Sequence, residues 1–410
     1  MRHRRRWQDL LVGSGIIAAS MVVMNVATYG FTIVAARMLG PTEYGALAAV
    51  MGLLIVLNVL SLGLQATGAR RVAADPGSRT RIEAEVRRAT YLSAAGIGTL
   101  ALLATPLVAE ALDLNSWAVA ALLAVSSVPL TIMGGHAGIH QGEHHWVPLA
   151  MIYLAVGLGR LVFGFGALMV RPDALGAMTG VAIGAMAPAL VGWLTTPRDR
   201  TTPVSRKETP VDQGVLRETL HNSHALLAFF ALSNVDVVAA RIVLDAHEAG
   251  LYAGGLILTK AVLFLPQFVS VIAFPTMSRP GSTSRLHLAA VGGVLAIGVV
   301  TVAGVAALPE LALAFVGGAE YAEVADRLWV FACLGTVLAM LQMAVYAVLA
   351  RQRQRTVFVI WAALAVLTVG AGIVEGDLEL LLMVVTVDTV LLVVLLVSTM
   401  RPRRTEAATV

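Results

Sequence analysis

Charge is what this chain has least of. Only 13% of its 410 residues are Asp, Glu, Lys or Arg, about half the share usual in a soluble domain. So little charge does not cover a folded chain with a wetted surface, so its solvent is mostly lipid. Cysteine is nearly absent as well. Cys333 stands alone inside an apolar run, which excludes an internal disulfide and any cysteine-based metal site. No hydrophilic stretch is long enough to fold as a soluble domain; the longest, residues 197–217, reads as a linker. There is no Walker A sequence, which excludes ATP as the direct energy source. Neither a Ser/His/Asp signature nor paired carboxylates near one loop appear, so no enzyme and no cofactor are expected.

What the chain has instead is apolar length. Hydrophobic residues make up 58% of it and the mean hydropathy is +0.82. Runs of the length that crosses a bilayer, about 20 residues, fall at 10–36, 44–64, 91–112, 117–133, 147–170 and 174–194. They resume at 225–244, 251–274, 288–308, 328–349, 357–374 and 378–400. The expected fold class is thus an all-α membrane protein of about twelve transmembrane helices. The opening MRHRRR resembles the start of a secretory signal, but the run 10–36 far exceeds the roughly 7–15 residues of a signal core, so it reads as an uncleaved first span.

The formal net charge of +4 sits in short clusters between apolar runs, which argues for membrane orientation and against nucleic acid. With the N-terminus inside, the cytoplasmic segments around 2–6, 70–88, 198–217, 279–285, 351–355 and 401–404 hold 23 of the 29 Lys and Arg. The expectation is a multi-pass protein of the cell (plasma) membrane with both termini cytoplasmic. The basic connection from Arg70 to Arg88 is expected to lie along the anionic inner leaflet.

An internal repeat accompanies the pattern. Val34-Ala35-Ala36-Arg37, followed by Glu43-Tyr44-Gly45, returns as Val238-Ala239-Ala240-Arg241, followed by Glu248-Ala249-Gly250. The offset is half the chain. Six helices per half is even, so both halves enter the membrane in the same sense, as a parallel repeat about the membrane normal. The expected organisation is a six-helix bundle over 1–195, a cytoplasmic linker over 196–217, a second bundle over 218–400 and a tail over 401–410.

Charges inside hydrocarbon cost about 2.5–3.5 kcal/mol each on insertion scales and need a reason. Arg160, Asp236, Lys260 and Asp388 are the four. One reading is a water-filled substrate cavity whose cations attract an anionic cargo; the other is structural ion pairing or snorkelling. Amides at Asn25, Asn58, Gln65, Asn234, Gln267 and Gln342 serve either as links between helices or as partners of sugar hydroxyls, with Asn25 and Gln267 taken as cavity candidates. Pro188 and Pro266 are the expected bends. His136, His140, His144 and His145 crowd the connection between spans four and five, but their order is not that of a zinc protease. They are expected to form a solvated turn without a metal.

The stretch NVDVVAARIVLDAHEAGLYAGGLILTKAVLFLPQFVSVIAFPTMS, from Asn234 to Ser278, resembles the polysaccharide-biosynthesis proteins, oligosaccharide flippases of the superfamily that includes the MATE exporters. So do the segment Ala35–Gly45 and His140-Gln141-Gly142. The resemblance implies flipping of a lipid-linked oligosaccharide from inner to outer leaflet, with Arg160 and Lys260 meeting the diphosphate that joins sugar to polyprenol. Its implied partners are that polyprenyl diphosphate sugar, membrane lipids, a proton or sodium ion, and glycosyltransferase or polymerase proteins. The alternatives are a MATE-like small-molecule exporter and a non-transporting scaffold for polysaccharide assembly.

Overall fold

The computed structural model describes residues 2–196, 213–263, 284–350 and 354–400, and among them every regular element is helical. The first half comprises α1 (Arg2–Ala74), α2 (Arg79–Leu103), α3 (Thr105–Ala111), α4 (Trp117–Gly142), α5 (Trp146–Val170) and α6 (Ala174–Thr195). The second comprises α7 (Gln213–Val243), α8 (Ala246–Leu263), α9 (Ser284–Ala307), α10 (Pro309–Val316), α11 (Leu328–Ala350), α12 (Gln354–Ala371) and α13 (Asp377–Met400). Large apolar side chains on the outside remain uncovered, Leu103 at 72% and Phe358 at 73% exposure among them. A surface of this kind is stable only against lipid.

Seven described helices are long and apolar enough to span a bilayer, and nine when two bent pairs are each taken as one span. The first of the seven, Gly15–Ala74, has 60 residues. At 1.5 Å per residue that is about 90 Å, far beyond a ~30 Å hydrocarbon core. It is two crossings joined at Gly40, whose φ of 68° and ψ of 175° leave the helix. Pro41 disfavours a helical residue before it, and only glycine takes that positive φ without strain. The bent pairs are α2 with α3, at 50°, and α9 with α10, at 101°. Pro106 and Pro309 open the second member of each. The last two expected spans coincide with α8 and α12, which are shorter as described.

Three expectations change. The connection from Arg70 to Arg88 is no separate surface segment: α1 runs to Ala74 and α2 starts at Arg79, a tight hairpin between two membrane helices. Helix α4 continues to Gly142, well past Met133, so His136 and His140 are fully buried in its last turns and not in a solvated turn. Helix α7 begins at Gln213, inside the expected linker, of which 197–212 lie outside the described residues.

Helices α4, α5 and α6 pack on one another and on α1; α11 packs on α8, α9 and α13, and α12 packs on α7 and α13. Between the halves α1 does most of the work, lying against both α7 and α8. Close approach comes from small residues, the usual device where lipid leaves no hydrophobic drive between helices. A Cβ on Gly184 would stand 2.7 Å from the Gly159 carbonyl oxygen, and one on Gly159 equally close to that of Gly184. Gly184→Val should therefore destabilise the protein by about 1–3 kcal/mol through overpacking. Gly166→Ala, with nothing near its added methyl, should leave the thermal unfolding midpoint in detergent unchanged.

Candidate functional site

The repeat becomes visible in space at one end of the molecule. Gly45 and Gly250, equivalent positions of the two halves, touch: a Cβ on Gly45 would stand 2.9 Å from the Gly250 Cα. The two repeat arginines each reach across to the other half. Arg37 Nη2 of the first half donates to the Ala314 carbonyl of the second at 2.5 Å. Arg241 of the second half donates through Nε to Leu112 O at 2.9 Å and through Nη2 to Asp113 O at 3.0 Å in the first. Tyr321 fills the same end. It is fully buried, stacks edge-on against Tyr44 at 6.4 Å and donates to Ala36 O. Glu43 accepts from Asn115 and from the Ala174 amide at the start of α6, which fixes the turn after Gly40.

The opposite end is tied differently. Arg70 and Arg71 of α1 pair with Glu218 of α7, the latter at 3.1 Å, and the Arg70 side chain is 66% exposed. The Arg71–Glu218 pair is more buried, with side chains 24% and 19% exposed. An exposed pair such as that of Arg70 contributes about 0–1 kcal/mol, whereas each hydrogen bond of the buried Arg241 guanidinium is of the charged kind, about 1.5–3 kcal/mol. The end that carries Gly45 is closed in addition by direct backbone contact.

Between the ends lies a cavity of about 170 Å³. Its walls come from both legs of α1, from α5, α7 and α8, and include Thr28, Tyr29, Thr32, Asn234, Arg160 and Lys260. Both predicted cations thus meet in one space. Their electrostatic surroundings differ. Lys260 Nζ donates to Ser233 O at 2.5 Å and to Asn234 Oδ1 at 3.2 Å. Its charge also interacts with Asp236 and Asp388. Two charge-assisted bonds at about 1.5–3 kcal/mol each offset the insertion cost of this lysine. Arg160 has no such compensation: no acidic side chain acts on it, and among the described residues none accepts a hydrogen bond from it.

The two carboxylates stand behind the lining. Asp236 is buried and accepts from the Val237 amide at 2.8 Å. Asp388 is fully buried, and neither of its oxygens has a hydrogen-bond partner among the described residues. Asn25 is half-buried, has a polar partner and is not part of the cavity wall. Pro188 is buried within an α6 that continues through it. Pro266 and Gln267 lie outside the described residues. Gln65 is a link between helices, donating to Gln141 and to Tyr153. Thr28, Tyr29 and Thr32 are polar wall residues that the sequence did not flag, and Tyr29 is also a strut. Its hydroxyl donates to Ile257 O at 2.9 Å and ties α1 to α8, but a tyrosine in an apolar run carries no mark of that role.

The histidine segment forms a second polar cluster, outside the cavity. His136 Nδ1 meets Thr196 Oγ1 at 2.8 Å and His140 Nε2 meets Thr195 Oγ1 at 2.9 Å. His145 Nδ1 pairs with Glu143 Oε2 at 2.8 Å, and Arg79 pairs with Glu143 and Glu83. Burial, with Glu83 beside it, pushes the Glu143 carboxyl up to about 7.

The sequence pattern described as polysaccharide biosynthesis protein matches residues 10–280. No curated protein matches the chain. A multidrug resistance MATE family transporter of the MOP superfamily, in an inward-facing conformation, superposes over 92% of this chain and 93% of its own, with a TM-score of 0.70 and 13% identity. An outward-facing structure described in the same words gives a TM-score of 0.55 at 15% identity, with 94% of each chain covered. The MATE multidrug transporter DinF-BH in complex with R6G gives 0.62 at 12% identity over 93% of both chains. Identities this low carry the fold and nothing finer. With two thirds of its length matched by the family pattern, the chain belongs to the polysaccharide biosynthesis protein family and has the fold of MATE transporters of the MOP superfamily.

Proposed function

We propose that this protein moves a lipid-linked oligosaccharide, or a related polysaccharide precursor, from the inner to the outer leaflet of the plasma membrane by alternating access between two six-helix bundles. The observation that carries the proposal is Arg160, a cation within a membrane-spanning helix with no hydrogen-bond or acidic partner among the described residues, lining the central cavity with Lys260. A site that keeps an uncompensated positive charge in hydrocarbon suits an anion, and the diphosphate of a polyprenyl-linked sugar is one. Sugar hydroxyls, each costing several kcal/mol to dehydrate unpaired, would find replacement partners in the hydroxyls of Thr28 and Thr32.

The cycle follows from the unequal ends. Both termini and the basic loops are assigned to the cytoplasm by the positive-inside bias. The Gly45 end is then the outer gate, closed in this conformation, and the greater likeness to the inward-facing transporter supports that reading. At about 170 Å³ the cavity is smaller than the ~300–1,000 Å³ of sites for drug-sized ligands. Loading therefore requires the inner end, tied by ion pairs through Glu218, to part. The lipid tail stays in the bilayer through the lateral opening between bundles. Asp236 and Asp388, near Lys260, carry or balance charge as the bundles rock. The membrane potential supplies about 2.3 kcal/mol per charge per 100 mV, and a proton or sodium gradient is the other source. A MATE-like exporter of cationic drugs shares the fold, but an unpaired arginine in the cavity repels such cargo.

Depletion in the host should accumulate lipid-linked sugar on the inner leaflet, measured by extraction and mass spectrometry with a leaflet-specific label. An unchanged lipid pool with altered drug tolerance would sink the flippase. Arg160→Ala should weaken cargo binding about ten- to a hundredfold, the equivalent of one lost charged hydrogen bond, with Arg160→Lys recovering part of it in a binding titration. Lys260→Ala should impair transport without loss of membrane insertion; normal surface polysaccharide in that strain would remove Lys260 from the site. In a chain carrying Cys333→Ser and Ala48→Cys, Arg241→Ala should speed labelling of the cavity by an impermeant thiol reagent added outside. Equal rates with and without the arginine would show that it is no part of the gate.

A further inference from the structure

The polar cluster at the inner ends of α4, α5 and α6 has a feature that the transport cycle does not use. Helix α4 ends in a reversal: the His144 amide donates to Gln141 O and the His145 amide to His140 O, with His144 at a positive φ of 58°. The reversal folds His145 back over the helix end. One ring nitrogen of His140, one of His145 and a carboxylate oxygen of Glu143 then lie within 4.8 Å of one another. Three such atoms surround a point within about 2.8 Å of each, and small side-chain adjustments bring that to the ~2.0–2.2 Å of zinc–nitrogen and zinc–oxygen bonds.

The hydrogen-bond pattern says which nitrogen of His140 is available. Thr195 Oγ1 donates its single hydrogen to Val191 O at 2.8 Å, so toward the His140 Nε2 it acts as acceptor. Nε2 therefore carries the proton and Nδ1 carries the lone pair. That Nδ1 is buried and has no hydrogen-bond partner among the described residues, in a residue with no exposed surface. A buried, unpartnered imidazole lone pair with its other nitrogen held by a neighbour is how a metal-ligating histidine is usually set. The carboxylate of Glu143 is itself 1% exposed, while His145 at 42% leaves a way in from solvent. Arg79, which pairs with Glu143, also holds Glu83 at 2.8 Å and keeps that partner when Glu143 turns to a cation.

We propose that His140, Glu143 and His145 bind a first-row divalent transition metal, zinc foremost, with water completing the coordination. Two imidazoles and one carboxylate are the donor set that selects such ions over magnesium or calcium. The ion fastens the turn between α4 and α5, and through His140 and Thr195 the end of α6, into one rigid inner rim of the first half. The site is separate from the cavity and stands or falls independently of the cargo.

The test uses the full-length, untagged protein in detergent, stripped with chelator and titrated with zinc chloride. Isothermal titration with elemental analysis should give one zinc per chain and a raised unfolding midpoint. His145→Ala, on the exposed side and safe for folding, should lose at least a hundredfold in affinity while its metal-free unfolding midpoint stays at the parent value. Glu143→Gln should lose affinity as far, and Thr195→Val, which leaves all three ligands and removes the nearer of the two threonine hydroxyls on His140 Nε2 while Thr196 Oγ1 stays at 3.3 Å, should lose less, up to about tenfold. His144→Asn should bind as the parent does, since its ring packs on Trp146. Zinc uptake well below one per chain, or equal affinity in the parent, His145→Ala and Glu143→Gln, would overturn the proposal.

Discussion

A charge inside hydrocarbon has to be compensated, and in this protein the compensation is uneven. Lys260 spends its donors on Ser233 and Asn234 and sits among two carboxylates, so protein groups cover its cost. Arg160, in the same cavity, has none of these. The helices that bring the two cations together are held by close backbone contacts, not by the charges themselves. The fold is therefore free to leave Arg160 uncompensated, and that freedom is what makes the cavity an anion site in the proposed cycle.

The same imbalance recurs at the ends of the molecule. At one end a glycine of one half meets a glycine of the other, and each half sends an arginine to the backbone carbonyls of its neighbour. The sequence repeat places both arginines at this same end. At the other end the tie is ionic: Glu218, 19% exposed, takes the exposed Arg70 and the part-buried Arg71. The two ends thus differ in kind, close backbone contact at one and an ion pair that salt screens at the other.

The histidine segment shows where pattern reading stops. Four histidines in ten residues, with a turn signal after them, read as a wet connection. Helix α4 instead runs on to Gly142, because Gly134, Gly135 and Gly138 let it press against Ser61, Thr90 and Gln65 of its neighbours. Packing of that kind buries His136 and His140 and hands them the hydroxyls of Thr196 and Thr195, sixty and fifty-five residues away in sequence. The surface connection expected at Arg70–Arg88 gave way to a hairpin because basic composition marks a membrane boundary but does not say whether the chain lies along it or turns there.

By itself the sequence determined the solvent, the helical class, the positions of the apolar runs and the half-chain repeat, because each of these is a matter of local composition and period. It also singled out Arg160 and Lys260, since a cation is conspicuous against an apolar background. Only the tertiary structure decided that the two share one cavity, that Asp236 and Asp388 stand behind its wall and that Asn25 is not in it. It alone revealed Tyr29 as a strut between α1 and α8 and the two repeat arginines as ties between the halves. Such facts depend on which faces of distant helices meet, and close-packed faces are chosen by the shapes of small residues far apart in the chain, which no local pattern records.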